Sequence, residues 1–345
     1  EKRNADGIKP ILPVVKKIQA IKSLEDFRNS LNDDEIRTTF PISINLRSNN
    51  GFYSVPFCYV NIFFGNNQQN YSDFYEKTLI KIGYDKSEAK RLIQLALEFE
   101  KKYSEQPLKD NNVTSLLIAS NSYKNLPLKE LVENWNISGL VQYGFANPSH
   151  FEVFNSMYVE ENLEIIKTFC ILKLISSFAN CLDKDFEQIQ IDFNNQIYGF
   201  SLDERKETAA INFLKNSFSD LFGKVWIKTY FSDEIKKDVE KIIYQILEEY
   251  KKEINSWNWM GAGSRYNLTE YLNQLKVFVG YYDFFDYSDY KISENLYDSV
   301  FKMLQYQNNL EEKKCFETFD PNRWLMAPYE YNAYNNLINN SINIL

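Results

Sequence analysis

The strongest constraint on this chain is a long run of apolar residues spaced by three and four positions from Ser232 onward. The apolar positions are Ile235, Val239, Ile242, Ile243, Ile246, Leu247, Tyr250 and Ile254, and Lys and Glu fill many of the positions between them. This spacing places the apolar side chains on one face of an α-helix of about six turns. Ser232 is a suitable N-cap for that helix.

Helical spacing recurs along the chain. Asp85 followed by Glu88 has the form of a capping box, and the apolar residues after it predict a helix over residues 85–104. Helical periodicity also covers residues 126–133, 162–182, 205–230 and 294–309. Strand signals are confined to residues 51–64, 188–198 and 276–280. The sequence therefore predicts a mainly α fold, a large multi-helix domain with a few short strands.

Composition sets limits on the partners. The 345 residues are 44% hydrophobic and 16% aromatic, which is typical of a folded globular chain with two packed subdomains or one large helical domain. The net charge of -8 and the pI of about 5.1 disfavour nucleic acid, since such binding depends on Lys and Arg neutralising phosphates. No nucleic-acid partner is expected.

The longest apolar stretch, residues 163–182, contains Glu164, Lys167 and Lys173. Each charge would cost a few kcal/mol at the centre of a bilayer, so this stretch predicts a buried helix and not a membrane span. The chain begins at Glu1 and not at Met, which is compatible with removal of an upstream segment. Its location is left open between the cytoplasm, the cell surface and secretion.

Side chains that carry chemistry are few. The four cysteines, Cys58, Cys170, Cys181 and Cys315, lack CxxC spacing and predict free core thiols. The one histidine, His150, follows Asn147-Pro148-Ser149, a loop signature, and predicts a surface or helix-capping role. A hydrolytic zinc site needs three ligands, most recognisably HExxH on a helix, and a catalytic triad needs a base. HExxH is absent from the sequence, and nothing in the residues around His150 supports a triad.

A phosphate-binding loop is not indicated either. Residues 261–264, Gly-Ala-Gly-Ser, lack the GxxxxGK[ST] and GxGxxG spacings and predict a turn. Carboxylate pairs suited to sugar hydrolysis cannot be singled out among 47 acidic residues, so an unrelated helical enzyme using carboxylates is a third and weaker hypothesis.

Five elements occur in order toward the C-terminus. They are Trp259-Met260, residues 275–281 (LKVFVGY), Asn295-Leu296-Tyr297, residues 323–328 (RWLMAP) and Asn332-Ala333-Tyr334. This series resembles the neprilysin-type (M13) zinc metallopeptidases, in which W-M, K-V-x-I-G-Y-P, N-L-Y, W-x-M-x-P and N-A-Y precede the zinc helix. Residues 9–26, 222–224 and 230–232 also resemble the family, so the likeness spans nearly the whole chain. It implies the fold of the family's N-terminal, helical cap portion.

Departures from the family pattern bear on activity. Residues 261–265 replace the family's S-x-x-T-K, Tyr282 replaces a Pro, and Leu337 stands where another Pro is expected. The family's HExxH helix, downstream zinc Glu and transition-state histidine have no counterpart in these 345 residues. The resemblance therefore implies zinc in the complete enzyme, with no catalytic or metal residue in this chain, which we expect to be inactive alone.

The resemblance assigns two substrate-binding residues. In the family the Asn and Ala of N-A-Y lie on an edge strand and hydrogen-bond the backbone of the peptide substrate, so Asn332 and Ala333 are the candidates here. The alternative for Asn332 is a cap or a turn. Large apolar residues of the motifs are predicted to be core and not contact residues: Trp259, Tyr281, Trp324 and Met326.

Two main hypotheses follow. In the first, residues 1–300 form a helical cap domain, with a possible subdivision near residues 184–203, and residues 301–345 begin the segment that leads into an absent zinc catalytic domain. The partners are then a peptide substrate and an HExxH-bearing catalytic half, separate or downstream. In the second, the chain is a catalytically dead, peptidase-derived scaffold that binds a peptide or protein partner.

Overall fold

The computed structural model describes residues 2–49, 53–199, 206–281, 287, 289–317, 324, 326–337 and 339–345. Sixteen α-helices and seven short strands lie in these ranges, so the predicted mainly α fold is confirmed. The helices are α1 (Lys2–Asp6), α2 (Leu12–Ala20), α3 (Leu24–Ser30), α4 (Asp34–Thr39), α5 (Gln68–Lys81), α6 (Lys86–Ser104), α7 (Leu116–Ser122), α8 (Leu128–Asn134), α9 (Pro148–Met157), α10 (Leu163–Phe178), α11 (Lys184–Tyr198), α12 (Lys206–Ser217), α13 (Ser219–Tyr230), α14 (Asp233–Ser256), α15 (Ala262–Asn273) and α16 (Leu296–Cys315).

The strands form two separate sheets. They are β1 (Ile42–Asn49), β2 (Tyr53–Val60), β3 (Asn112–Thr114), β4 (Tyr143–Phe145), β5 (Lys276–Val279), β6 (Ala333–Asn336) and β7 (Ser341–Ile344). The first sheet has the order β1-β2-β4-β3 and the second has the order β5-β7-β6. β2 and β5 confirm two of the predicted strands, although residues 51 and 52 lie outside the described ranges.

The chain divides into two compact units. The first unit comprises residues 1–206 and 291–318, and the second unit comprises residues 207–290 and 319–345. The division into a cap domain of residues 1–300 and a leading segment of residues 301–345 stays a prediction. In the region of the predicted subdivision, α11 is continuous from Lys184 to Tyr198, and residues 200–203 are not described.

The structure confirms the predicted N-cap residues of two helices, Asp85 and Ser232. The Asp85 carboxylate accepts hydrogen bonds from the backbone N–H groups of Ser87 at 2.7 Å and Glu88 at 3.4 Å, at the start of α6. The Ser232 hydroxyl accepts from the N–H of Ile235 at 3.2 Å, at the start of α14. Both side chains satisfy donors that a helix leaves unpaired in its first turn.

The prediction of a strand over residues 188–198 is wrong, because these residues belong to α11. Asp183 caps this helix, accepting from the N–H groups of Asp185 and Phe186, and Gly199 ends it with φ +70°. The Phe193 ring packs on the rings of Tyr71 and Phe74 of α5. Its centroid lies 4.8 Å from each of theirs. The alternation over residues 188–198 is compatible with a strand or a helix. The capping residues Asp183 and Gly199 favour the helix.

The first unit has an aromatic core. Phe99 of α6 is 1% exposed and its ring lies 5.3 Å from Phe169 of α10 and 6.3 Å from Phe154 of α9. α10 is buried over most of its length, as predicted for residues 162–182. Within the described ranges no single helix is long and apolar enough to cross a bilayer. Residues 160–181 and 184–197 reach the length and apolar composition of a span only when taken together, and they are bent by 107° where they meet.

A buried carboxylate joins the first sheet to this helical core. Glu100 of α6 is 6% exposed and accepts hydrogen bonds from three consecutive backbone N–H groups, those of Phe63 at 2.6 Å, Phe64 at 2.8 Å and Gly65 at 3.0 Å. Burial raises the pKa of Glu100, while the three hydrogen bonds oppose that rise. The carboxylate therefore fixes the turn that follows β2.

Candidate functional site

The second sheet carries the predicted substrate-binding residues. β7 lies in its centre, parallel to β5 and antiparallel to β6. The backbone N–H of Gly280 donates to the carbonyl of Ile344 at 2.7 Å, and that of Lys276 donates to Asn340 at 2.9 Å. Gly280 has φ +88°, and a Cβ there would lie 2.4 Å from the Phe231 ring, so only glycine suits the end of β5.

β6 ends this sheet in the part of the chain that the structure describes. The Leu345 N–H donates to the carbonyl of Asn332 at 3.1 Å, which makes these two residues a hydrogen-bonded pair. Backbone groups alternate in direction along an antiparallel strand. The backbone groups of Ala333 and Asn335 therefore point away from β7, toward the side on which a further strand would add.

Asn332 and Ala333 are both exposed at the start of this strand. Ala333 is the first residue of β6, and Asn332 immediately precedes it. The side-chain oxygen of Asn332 accepts a hydrogen bond from the N–H of Ala333 at 2.8 Å. The Asn332 side chain thus occupies the outward donor of Ala333, and a peptide at this edge would replace that contact.

Tyr329 anchors the segment that leads into β6. Its hydroxyl lies 2.8 Å from the hydroxyl of Ser219 and donates to the carbonyl of Lys215 at 3.1 Å. Its ring packs edge-on against Phe222 at 5.0 Å, and burial raises the pKa of Tyr329. The sequence analysis missed this residue, because its role depends on contacts with helices more than a hundred positions earlier.

Much of the apolar face of α14 is exposed. Leu247 and Ile254 are buried, but Ile242, Ile246 and Tyr250 are 55%, 53% and 55% exposed. A groove of about 520 Å³ follows these side chains along the helix. Its lining is Ile242, Gln245, Ile246, Glu249, Tyr250, Glu253 and Trp257. The long helix is as predicted, and only part of its apolar surface is covered.

The motif residues predicted as core divide into two groups. Trp324 is 9% exposed, and Tyr281 and Met326 are half-buried. Trp259 is 76% exposed and stacks on Trp257 at 5.5 Å, so its assignment to the core is wrong. It lies just after α14, beside the uncovered groove. Arg323 and Leu325 of the same motif series lie outside the described residues, as does Tyr282.

Residues 261–264 open a helix, so the predicted turn is wrong. Gly261 is the N-cap of α15, which begins at Ala262. The Arg265 guanidinium donates to the carbonyls of Trp257 at 2.9 Å and Met260 at 2.6 Å, and so ties α15 to the end of α14. Small residues at this joint let the two helices follow each other closely.

His150 lies in the first turn of α9, and not in a loop. Its ring is 5.3 Å from that of Tyr103, and burial lowers its pKa. Burial also raises the pKa of each of the four cysteines, all of them free and buried as predicted, to about 12. No group of three His, Cys, Asp or Glu residues that could hold a metal ion occurs in the described ranges. His150 and the four buried cysteines therefore do not form the ligand set of a hydrolytic zinc ion.

Comparisons with known proteins agree with one another. The family model of peptidase family M13 matches residues 1–282. Neutral endopeptidase of Lactobacillus helveticus is 24% identical over 278 residues, which cover 76% of this chain and 43% of that enzyme. The crystal structure of PepO from Lactobacillus rhamnosis superposes with a TM-score of 0.84 at 16% identity, covering 99% of this chain and 59% of PepO.

A zinc metalloprotease from Mycobacterium tuberculosis, Zmp1 in its open state, also superposes with a TM-score of 0.84 at 16% identity. That match covers 98% of this chain and 57% of Zmp1. The sequence therefore spans about half the length of the relatives that it matches. These structural likenesses establish the shared fold.

Proposed function

This chain belongs to peptidase family M13, and we propose that it is the non-catalytic helical half of an M13-like zinc metalloendopeptidase. In this proposal its helices cap the active site of a catalytic half that carries HExxH, and they limit access to peptides. The observation that carries the proposal is a family match over residues 1–282 in a chain whose sequence lacks HExxH.

The proposed contribution to substrate binding is the edge of β6. Asn332 and Ala333 would pair with an extended peptide, since strand addition uses backbone hydrogen bonds that depend little on sequence. The outward direction of the backbone at Ala333 and Asn335 supports this role, as does the exposure of Asn332. The Asn332 amide offers both donors and an acceptor to the peptide backbone.

The catalytic half must provide the zinc ligands and the general base. Zinc, when bound there, activates water for attack on a peptide carbonyl. This chain contributes binding, orientation and the exclusion of bulk water.

Departures from the family motifs favour a second candidate. Residues 261–265 have lost the S-x-x-T-K pattern, and they now form the start of α15. A scaffold that retained the M13 fold and lost catalysis would tolerate such changes. It would bind a peptide or protein without hydrolysing it.

Affinity purification of the chain from its native source, with mass spectrometry of what copurifies, separates these candidates. We expect an HExxH-bearing polypeptide, and peptide hydrolysis that requires both halves and is abolished by a zinc chelator. Recovery of partners that all lack HExxH, with no hydrolysis, would establish the scaffold instead.

The role of the strand edge has its own test in that complex. Asn332→Ala should lower kcat/KM for peptide hydrolysis about fivefold to tenfold, since one hydrogen bond to the substrate is lost. Leu337→Ala, at the exposed position that follows the same strand, is the control for zinc content and folding. Equal kcat/KM for Asn332→Ala and the wild type would rule out substrate binding by this side chain.

A further inference from the structure

Two tyrosine hydroxyls contact the first turn of α13. The Tyr329 hydroxyl lies 2.8 Å from that of Ser219, the first residue of this helix. The Tyr287 hydroxyl donates to the carboxylate of the next residue, Asp220, at 2.7 Å. Tyr329 belongs to the segment that leads into β6, whereas Tyr287 follows β5 in the chain. One helix turn therefore holds side chains from two segments of the second unit.

The contacts of Tyr329 come from two successive helices. Its hydroxyl donates to the carbonyl of Lys215 at 3.1 Å, so the Ser219 hydroxyl is the donor in the hydrogen bond that the two hydroxyls share. Lys215 lies in the last turn of α12, where a helix leaves carbonyls without intrahelical partners. The Tyr329 ring packs on Phe222, and the Lys215 ammonium lies 5.3 Å from the ring centroid. The hydroxyl and the ring are thus both fixed.

Tyr329 lies three residues before Asn332. The two residues between them, Glu330 and Tyr331, are exposed. The Glu330 N–H donates to the carbonyl of Ala327 at 3.0 Å, and the Ala327 N–H donates to the Glu330 carboxylate at 3.2 Å, which closes the turn around Tyr329. Three residues of extended chain span at most about 11 Å, so a shift of this turn also moves Asn332.

From these contacts we propose that Tyr329 is a positioning residue for the peptide-binding edge of β6. The hydrogen bond between Ser219 and Tyr329 fixes where the Asn332 side chain and the outward backbone groups of Ala333 lie, and an extended peptide must align with both. The inference rests on the proposed function. It adds to the site a residue that acts through Asn332 and Ala333, without contact to the peptide.

Tyr329→Phe tests the inference in the HExxH-containing enzyme, because it removes the hydroxyl and keeps the ring. Pairing at the strand edge stabilises the bound substrate and the transition state alike, so KM for peptide hydrolysis should rise about threefold to tenfold while kcat stays within about twofold. A loss of folded protein would instead lower the apparent kcat and leave KM unchanged. Ser219→Ala should also raise KM, and the double variant should match Tyr329→Phe, since both changes remove the same hydrogen bond.

Tyr287→Phe is the matched control. It removes a hydroxyl that binds the same turn of α13, from a side chain that is 6% exposed. Because that hydroxyl donates to a carboxylate, its loss should lower Tm at least as much as Tyr329→Phe does. Tyr287 does not lead into β6, so KM should keep its wild-type value.

The outcomes separate the inference from the proposed function. If Tyr287→Phe and Tyr329→Phe raise KM equally, KM follows the stability of the second unit and the positioning role is wrong. If the wild-type enzyme hydrolyses peptides and Tyr329→Phe leaves KM unchanged, the positioning role is wrong and the proposed function stands. If the wild-type chain with its HExxH-bearing part hydrolyses no peptide, the proposed function fails and the positioning role fails with it.

Discussion

The two units of this chain differ in how many of their apolar side chains they bury. In the first unit, aromatic side chains such as Phe99, Phe154 and Phe169 interlock at full burial. In the second unit, the central strand β7 buries the polar Ser341 and Asn343, which hydrogen-bond each other at 2.9 Å, while α14 exposes isoleucines. Among the described residues, few apolar side chains of the second unit are buried, and most of those on α14 are exposed.

This contrast has a practical consequence for measurement. Of the five tryptophans, Trp226, Trp257, Trp259 and Trp324 belong to the second unit, and Trp135 belongs to the first. Tryptophan fluorescence therefore follows mainly the second unit, while far-UV circular dichroism includes the many helices of the first. The two probes need not report one transition, since chains with several units often do not unfold in a single step.

The largest expected effect is in the core of the first unit. Phe99→Ala should destabilise that unit by about 3–5 kcal/mol, because a fully buried ring leaves a cavity among packed aromatics. Ile246→Ala in the second unit should change stability by less than about 0.5 kcal/mol, because the side chain is 53% exposed. Urea titration followed by circular dichroism measures both, and equal losses would remove the contrast.

Glu100 gives the next largest effect. Glu100→Gln should cost about 1–3 kcal/mol, because an amide with one acceptor oxygen cannot serve three backbone N–H groups. Since burial raises the pKa of Glu100 above 4.5, ionisation is disfavoured in the folded state. The stability from this group is complete below 4.5 and decreases as pH rises through the raised pKa.

The penalty of Glu100→Gln should therefore shrink over that pH interval, as measured by urea titrations at several pH values. Glu253→Gln, at an exposed position of α14, is the control and should leave stability unchanged. A penalty that is independent of pH would contradict the assignment of the raised pKa.

A helix cap tests whether the second unit unfolds by itself. Ser232→Ala removes the cap of α14 and should cost about 1 kcal/mol. The loss should shift the tryptophan fluorescence transition and leave the main circular dichroism transition in place. If both transitions move together, the two units unfold as one and the comparison between them loses its meaning.

The smallest expected effect concerns His150. Burial lowers its pKa in the folded state, so the unfolded state takes up a proton first as pH falls below 6.5. The stability from neutral His150 is present above 6.5 and decreases as pH falls toward the lowered pKa. His150→Gln should flatten this part of the curve of Tm against pH, and parallel curves for the two proteins would contradict the expectation.

Long helices with clear caps were predictable from the sequence. Asp85 and Ser232 precede regular apolar spacing, and in each case local chemistry and tertiary packing favour the same structure. The predicted strand over residues 188–198 is part of α11. Apolar and polar residues alternate there, which is typical of a strand, whereas the capping residues Asp183 and Gly199 favour a helix. Very short strands such as β4, β6 and β7 depend on distant partners, which no local pattern contains.

The candidate site was predictable only through the family resemblance. The Asn-Ala-Tyr motif identified the residues around β6, but the pairing of Asn332 with Leu345 and the anchoring by Tyr329 are tertiary facts. The apolar face of α14 was visible in the sequence as a helical stripe. Which part of that stripe is covered could not be predicted, because amphipathic spacing does not say what lies against a helix.

The difference between the two units is tested most directly by amide hydrogen exchange of α10 and α14 in this chain. We expect slow exchange of α10, which is buried over most of its length, and faster exchange of α14, whose apolar side chains are largely exposed. If α14 exchanges as slowly as α10, the contrast between the two units is wrong.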